Sequence, residues 1–436
     1  MDATTAGTAP ATTTGPARET ATGTTDEEAG RAPALVPLYR NWRFQALWAG
    51  QASATLGLQV ADTAYPLLLL ALTGSSTLAG AFGALQICAT VLFGLHGGSV
   101  ADRHDRRRVL ITADSVRLLA AGSVPLAMAL DRLTVVHTLL VAVAIGATIA
   151  YSGPVRLLAV RSVVPPEQLR QALAQDEARM SGAGLIGPPL AGYLFGAGRA
   201  VPFLGTVVAT LLSLSAALAV RFPSPPKAAE QQPRSRGGAL AGFRHLAADP
   251  VLRPALAVIF VTNLAGAAML LPVIVQLRGH GASSGGIGLA LAGEAAGALA
   301  GAFLVGRLHR LAGPGVLLLA VAWTCVPVTL APLLPGGAAT VFAALFLVGL
   351  GTPTLRVMID LLVFRRVSDE LRGRVVAATM TLLTVGMPAG MLGSGLLLDH
   401  FSPTAALTTV AGLLAACLLP ATAGRTLRRA TWPAES

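Results

Sequence analysis

Lysine is almost missing from this chain: of 32 basic residues only Lys227 is a lysine, and the rest are arginine. Lys227 sits in Pro225-Pro226-Lys227-Ala228, which cannot form the G-x-x-x-x-G-K-[ST] loop that cradles phosphates in an ATP-driven pump. Charge of any sign is scarce. Asp, Glu, Lys and Arg make up 12% of the residues, against about 25% for a soluble globular protein. No acidic cluster stands at the end of an apolar run, which argues against a polytopic prenyl- or phosphotransferase, where paired carboxylates hold metal and diphosphate. The seven histidines (His96, His104, His137, His245, His280, His309 and His400) are scattered, with no H-E-x-x-H arrangement. Cys88, Cys325 and Cys417 lie inside apolar runs without metal-site or disulfide spacing and are read as small buried hydrophobes. Aromatics amount to 5%, so Tyr65, Phe82 and Trp323 are assigned packing or lipid-facing roles ahead of ligand stacking.

What the chain has is apolar length: 53% hydrophobic residues and a mean hydropathy of +0.66. Residues 1–37, rich in Thr, Ala, Gly and Pro, read as a disordered tail without signal-peptide character. Twelve later spans are long enough to cross about 30 Å of hydrocarbon as helix. In the first half they are 44–71, 77–98, 109–130, 134–156, 173–197 and 201–221. The second half supplies 253–276, 285–306, 312–334, 338–362, 375–398 and 403–423. The expected class is an all-α membrane protein of two six-helix bundles, 38–222 and 251–424. A polar linker, 223–250, joins them, and a second tail covers 425–436. The net charge of +11 does not point to nucleic acid. Its arginines cluster in short loops on one side, while the other side's loops hold only Arg132, Arg199 and Arg278. The positive-inside rule then puts both termini in the cytoplasm of a multi-pass cell-membrane protein.

Between spans 2 and 3 runs Gly98-Ser-Val-Ala-Asp102-Arg103-His-Asp-Arg106-Arg107-Arg108. This loop resembles the G-x-x-x-D-R-x-x-R-R signature of the major facilitator superfamily. The resemblance implies twelve helices, two pseudo-symmetric halves and alternating access about a midplane cavity. It also implies that Gly94 and Gly98 let span 11 approach, with Asp102 near the start of that span, beside Arg372 and Arg374. The plainer reading of Asp102, Arg103, Arg106 and Arg107 is a solvated loop that sets topology. A fainter second copy, Ala302 to Arg310, carries Arg307 in the Arg103 position but Gly306 in place of Asp102. In span 5, Gly182, Gly187, Pro188 and Gly192 resemble the Gly-rich motif of antiporters in the superfamily; ordinary small-residue packing is the alternative. Asn41 to Gln51, Pro66-Leu67-Leu68, Gly153-Pro154-Val155-Arg156 and Asp369 to Arg374 resemble the macrolide and siderophore exporter branch.

Ionisable groups at membrane depth are costly and mark candidate functional sites. Asp62 in span 1 and Glu294 in span 8 are the proton-coupling candidates. Glu294 lies in Gly293-xxx-Gly297-xxx-Gly301 and is expected to be tightly packed. The alternatives are a hydrated Asp62 and a neutral, hydrogen-bonded Glu294. Asp114 with Arg117, Asp176 with Arg179, and Arg356 with Asp360 have i,i+3 or i,i+4 spacing and read as ion pairs at the inner gate rather than substrate ligands. Gln51, Gln59, Gln86, Asn263 and Gln276 could line a cavity or join helices. The expected function is proton-coupled export of a small amphipathic organic compound. It needs no bound cofactor beyond the proton gradient, and works as a monomer with substrate, protons and lipid as its partners. Proton-coupled uptake and a non-transporting sensor on the same fold are the alternatives.

Overall fold

A computed structural model describes residues 37–220, 240–367 and 369–428. Most of both tails and most of the linker lie outside the described residues. The first half folds into α1 (Trp42–Thr73), α2 (Ser76–Arg103), α3 (Arg106–Ala129), α4 (Val135–Val163), α5 (Leu169–Ala197) and α6 (Val201–Ala219). A short helix α7 (Leu240–Ala248) leads to α8 (Leu252–Gly279), α9 (Ser284–Ala302) and a second short helix, α10 (Val305–Leu311). The chain continues through α11 (Pro314–Leu330), α12 (Gly337–Arg366), α13 (Asp369–His400), α14 (Pro403–Ala423) and the single turn α15 (Arg425–Arg428).

Side-chain caps start many of these helices. Asn41, Ser75, Asp105, Thr134, Ser283 and Ser402 each accept a backbone N–H from the first turn that follows, satisfying donors that the helix itself cannot. Eleven of the twelve long helices are apolar enough to cross a membrane. The exception is α5, where Arg170, Asp176, Glu177 and Arg179 crowd the first third and Gly and Pro dilute the rest. It nonetheless packs between α1 and α9.

The two halves repeat one another. In the first, α1 packs on α5 and α6, α2 on α4, and α3 on α4 and α6. The second half repeats these neighbours as α8 with α13 and α14, α9 with α12, and α11 with α12 and α14. Between halves the main contacts are α2 with α13 and α5 with α9, which exchange under the same repeat.

Three sequence expectations need correction. Span 4 does not stop at Arg156 but continues as helix to Val163, so Arg156 is two turns inside α4. Span 8 ends at Ala302, and the fainter loop copy folds as α10. Cys88 and Cys417 are exposed, not buried, because each faces outward from its helix. The linker also holds structure: α7 lies against α13, with Gly242 under the Arg374 carbonyl.

The ends of the bundle differ. One end carries the start of α1 and the arginine-rich α2–α3 loop. At the opposite end a core cluster joins both halves, with Tyr65, Leu67 and Phe82 from the first meeting Leu271, Ile274 and Ile287 from the second. There backbones touch directly: a Cβ at Gly192 would strike the Ser284 carbonyl, and one at Gly395 would strike that of Ser76.

Candidate functional site

A cavity of about 410 Å³ lies in the arginine-rich part of the first half, among α1, α3, α4 and α5. Its walls include Leu58, Ile149, Val160, Leu173 and Met180, with Gln51, Thr55, Gln59, Asp62, Arg117, Arg156, Asp176 and Arg179 as polar groups. Asp62 is at the end nearer the sealed core. Its Oδ1 accepts a 2.9 Å hydrogen bond from the Gln86 amide on α2. One turn further on, Tyr65 stacks on Phe82 at 4.2 Å and lies 4.8 Å from Phe203. These rings are core, not cavity lining. Trp323 likewise packs, donating to Thr422 on α14.

Seven residues before Asp62, about 10 Å down α1, the lining becomes cationic. Arg179 donates to both Thr55 Oγ1 and the Gln51 carbonyl, and pairs with Asp176 at 2.6 Å. Asp114 is 1% exposed and serves two guanidiniums. Arg156 Nη2 donates to its Oδ1 at 2.8 Å, while Arg117 Nη1 lies 3.6 Å from the same oxygen. Ser213 on α6 donates to Oδ2 at 2.7 Å. Arg117 is held further by Thr148 and Ser152. The i,i+3 pairs foreseen from spacing therefore exist, and Arg156 from α4 joins the first of them. The sequence placed Arg156 only at the end of span 4, in a segment resembling the exporter branch. Its signal was the helical continuation beyond it, which a charged residue hides in a hydropathy profile.

Glu294 is outside this cavity. Backbones were expected to pack tightly around it, and its side chain sits deep among the helices while keeping open surface. Gly293, Gly297 and Gly301 do pack on α12, against the carbonyls of Phe342, Phe346 and Leu350. Glu294, one residue on, points about 100° away from that seam. It has no hydrogen-bond partner among the described residues.

In the signature loop, Arg107 reaches the carbonyls of Ala217 and Leu218 at the end of α6, where a cation meets the negative pole of the helix. Arg106 keeps a buried Nε without a partner among the described residues. The side chains of Asp102, Arg103, Asp360 and Arg372 lie outside the described residues. The side chain of Arg356 is exposed. A Cβ added at Gly94 or Gly98 would meet nothing within 4 Å. Yet Gly98 is five turns beyond Gly80, and Gly94 about three beyond Gly83, on the α2 face that touches Met391 of α13. Among the described residues, the face that α13 covers at the sealed end thus has no close neighbour at these two glycines of the arginine-rich end. In α5, Gly187 is close-packed on Gln59 and Gly192 on α9, while a Cβ at Gly182 would meet nothing. Asn263 joins helices, donating to the Leu383 carbonyl of α13.

One latch was not foreseen. Asp399, at the end of α13, accepts hydrogen bonds from Ser75 Oγ at 2.7 Å, Ser76 N at 2.6 Å and Thr77 N at 3.0 Å. It closes the sealed end by capping a helix of the other half.

Known proteins share this plan. The family model of the Major Facilitator Superfamily matches residues 47–310. Macrolide efflux protein A of Streptococcus pyogenes is 25% identical over 390 residues, covering 83% of this chain and 91% of that protein. Enterobactin exporter EntS of Shigella flexneri is 28% identical over 282 residues, 63% of this chain and 65% of that one. Among solved structures, a bacterial homologue of the human lysosomal transporter Spinster, inward-facing and unoccupied, superposes with a TM-score of 0.70 at 17% identity. That match covers 93% of this chain and 100% of the other. The family model spans more than half of the chain and the fold agrees with it throughout: the protein belongs to the Major Facilitator Superfamily and is a membrane transporter of small molecules, not an enzyme.

Proposed function

We propose that the protein exports a small amphipathic organic compound across the plasma membrane, driven by proton antiport. The observation that carries this reading is the position of Asp62, a carboxyl at the blind end of a cavity with mixed apolar and polar walls. The arginine-rich loops orient that end to the cytoplasm, with both termini on the same side, so the described conformation is inward-facing. Export is favoured over uptake by the relatives, which are named as exporters. The chain acts as a monomer, and the proton gradient replaces any bound cofactor.

In the cycle, Asp62 takes a proton when the cavity faces outside and gives it up when the cavity faces the cytoplasm. Substrate moves in the opposite sense as the halves rock about α2–α13 and α5–α9. One proton crossing about 100 mV supplies about 2.3 kcal/mol, enough for a roughly fifty-fold substrate gradient.

Cells making the protein should accumulate less norfloxacin than control cells, and a protonophore should erase the difference. In proteoliposomes Asp62→Asn should remove the pH dependence of efflux while protein still reaches the membrane. Efflux that survives the protonophore refutes proton coupling. Loss of pH dependence in Glu294→Gln, with Asp62→Asn normal, would move the proton site to α9.

A further inference from the structure

The cavity's charges do not cancel at its arginine end. Asp176 is committed to Arg179, and the single carboxylate of Asp114 is shared by Arg117 and Arg156. Three guanidiniums thus face two carboxylates at this end, and Asp62, the remaining carboxyl of the cavity, lies toward the other end. Arg117 is 3% exposed and held by two hydroxyls and Asp114. Arg156 differs: its side chain is 16% exposed, and among the described residues only its Nη2 has acceptors, Asp114 and Ser213. Arg156 also lines the cavity. Beside it Gln51, 5% exposed, has a buried amide nitrogen with no hydrogen-bond partner among the described residues. Unmatched positive charge and an unused buried donor are both costly in an apolar surround, and an oxyanion would satisfy both. A guanidinium fork matches a planar or tetrahedral oxyanion better than any neutral acceptor.

We propose that Arg156 and Gln51 form an anion subsite, and that the transported compound carries an oxyanion such as a carboxylate or sulfonate beside an apolar body. The inference rests on this cavity being the transport site. The apolar body would lie along Leu58, Ile149 and Met180, between the oxyanion and Asp62.

The test uses purified protein in phosphatidylcholine nanodiscs without any gradient, with empty discs subtracted. Its probes are 8-anilinonaphthalene-1-sulfonate and its uncharged parent N-phenyl-1-naphthylamine. The wild type should hold the sulfonate at least tenfold tighter than the parent. Arg156→Gln should weaken the sulfonate tenfold or more and leave the parent within twofold, and Arg156→Lys should recover part of the loss. Gln51→Leu, close in volume, should weaken the sulfonate alone by threefold or more, and decides the matter if Arg156→Gln does not fold. Equal affinity of the wild type for both probes overturns the subsite, as does a loss shared by both probes in either variant. Because no gradient is present, failure here leaves protonophore-sensitive efflux intact. Sulfonate binding without such efflux would refute the export reading instead.

Discussion

At the residue scale the decisive fact is that one buried carboxylate restrains two arginines. Asp114 has no water to fall back on at 1% exposure, so its removal leaves Arg117 and Arg156 uncompensated inside the bundle. Breaking a buried pair in this way costs about 3–5 kcal/mol, much more than an exposed pair. Asp114→Asn should therefore lower the thermal unfolding midpoint in detergent markedly, and the Asp114→Asn, Arg156→Gln double variant should regain part of the loss. Simple addition of the two effects would show that the pair is not coupled. Spacing in the sequence revealed Asp114–Arg117 and Asp176–Arg179, because i,i+3 partners share a helix face. It did not reveal Arg156, whose carboxylate lies 42 positions away on another helix. Nor did it reveal Asp399, whose partners on α2 are more than 320 positions distant.

At the element scale, apolar runs located all twelve long helices because hydrocarbon demands continuous helix with every backbone group paired. They misjudged ends where a helix continues past a charge, as α4 does beyond Arg156. Glycine patterns on α2 were legible as close-approach sites, but which helix each one meets was not. Gly97 and Gly98 make the point. A Cβ at Gly97 would run into the Ala150 carbonyl of α4, within the same half, while one at Gly98 would meet nothing. Gly97→Val should destabilise the fold by about 1–3 kcal/mol, as overpacking does. Gly98→Val should leave the unfolding midpoint nearly unchanged yet stop transport, because that face must meet α13 when the arginine-rich end closes. Thermal melts alongside efflux rates distinguish the two, and a Gly98→Val protein with normal efflux would remove α2–α13 closure from the mechanism.

At the scale of the whole molecule, two six-helix halves follow from the hydropathy pattern and the polar linker. The conformation does not, since one sequence must satisfy both end states. Among the described residues, the same face of α2 is close-packed at one end and open to an added methyl at Gly94 and Gly98 at the other, and no periodicity distinguishes those ends. What holds this state includes the Asp399 latch, which ties the end of α13 to the start of α2 across the halves. Its carboxylate gains from charge-assisted bonds and from the positive pole of α2, although its exposed position keeps the gain to about 1 kcal/mol. Removing it should then shift the balance between states by roughly fivefold. With native cysteines replaced, nitroxides on Arg132→Cys and Leu334→Cys would report the distance across the sealed end by pulsed electron resonance. Asp399→Ala should add a longer-distance population at that end while shortening distances across the arginine-rich end, because rigid halves that rock cannot open both ends at once. Lengthening at the sealed end without shortening at the other would mean local fraying of α13, and the rocking of rigid halves would fail as a description of this transporter.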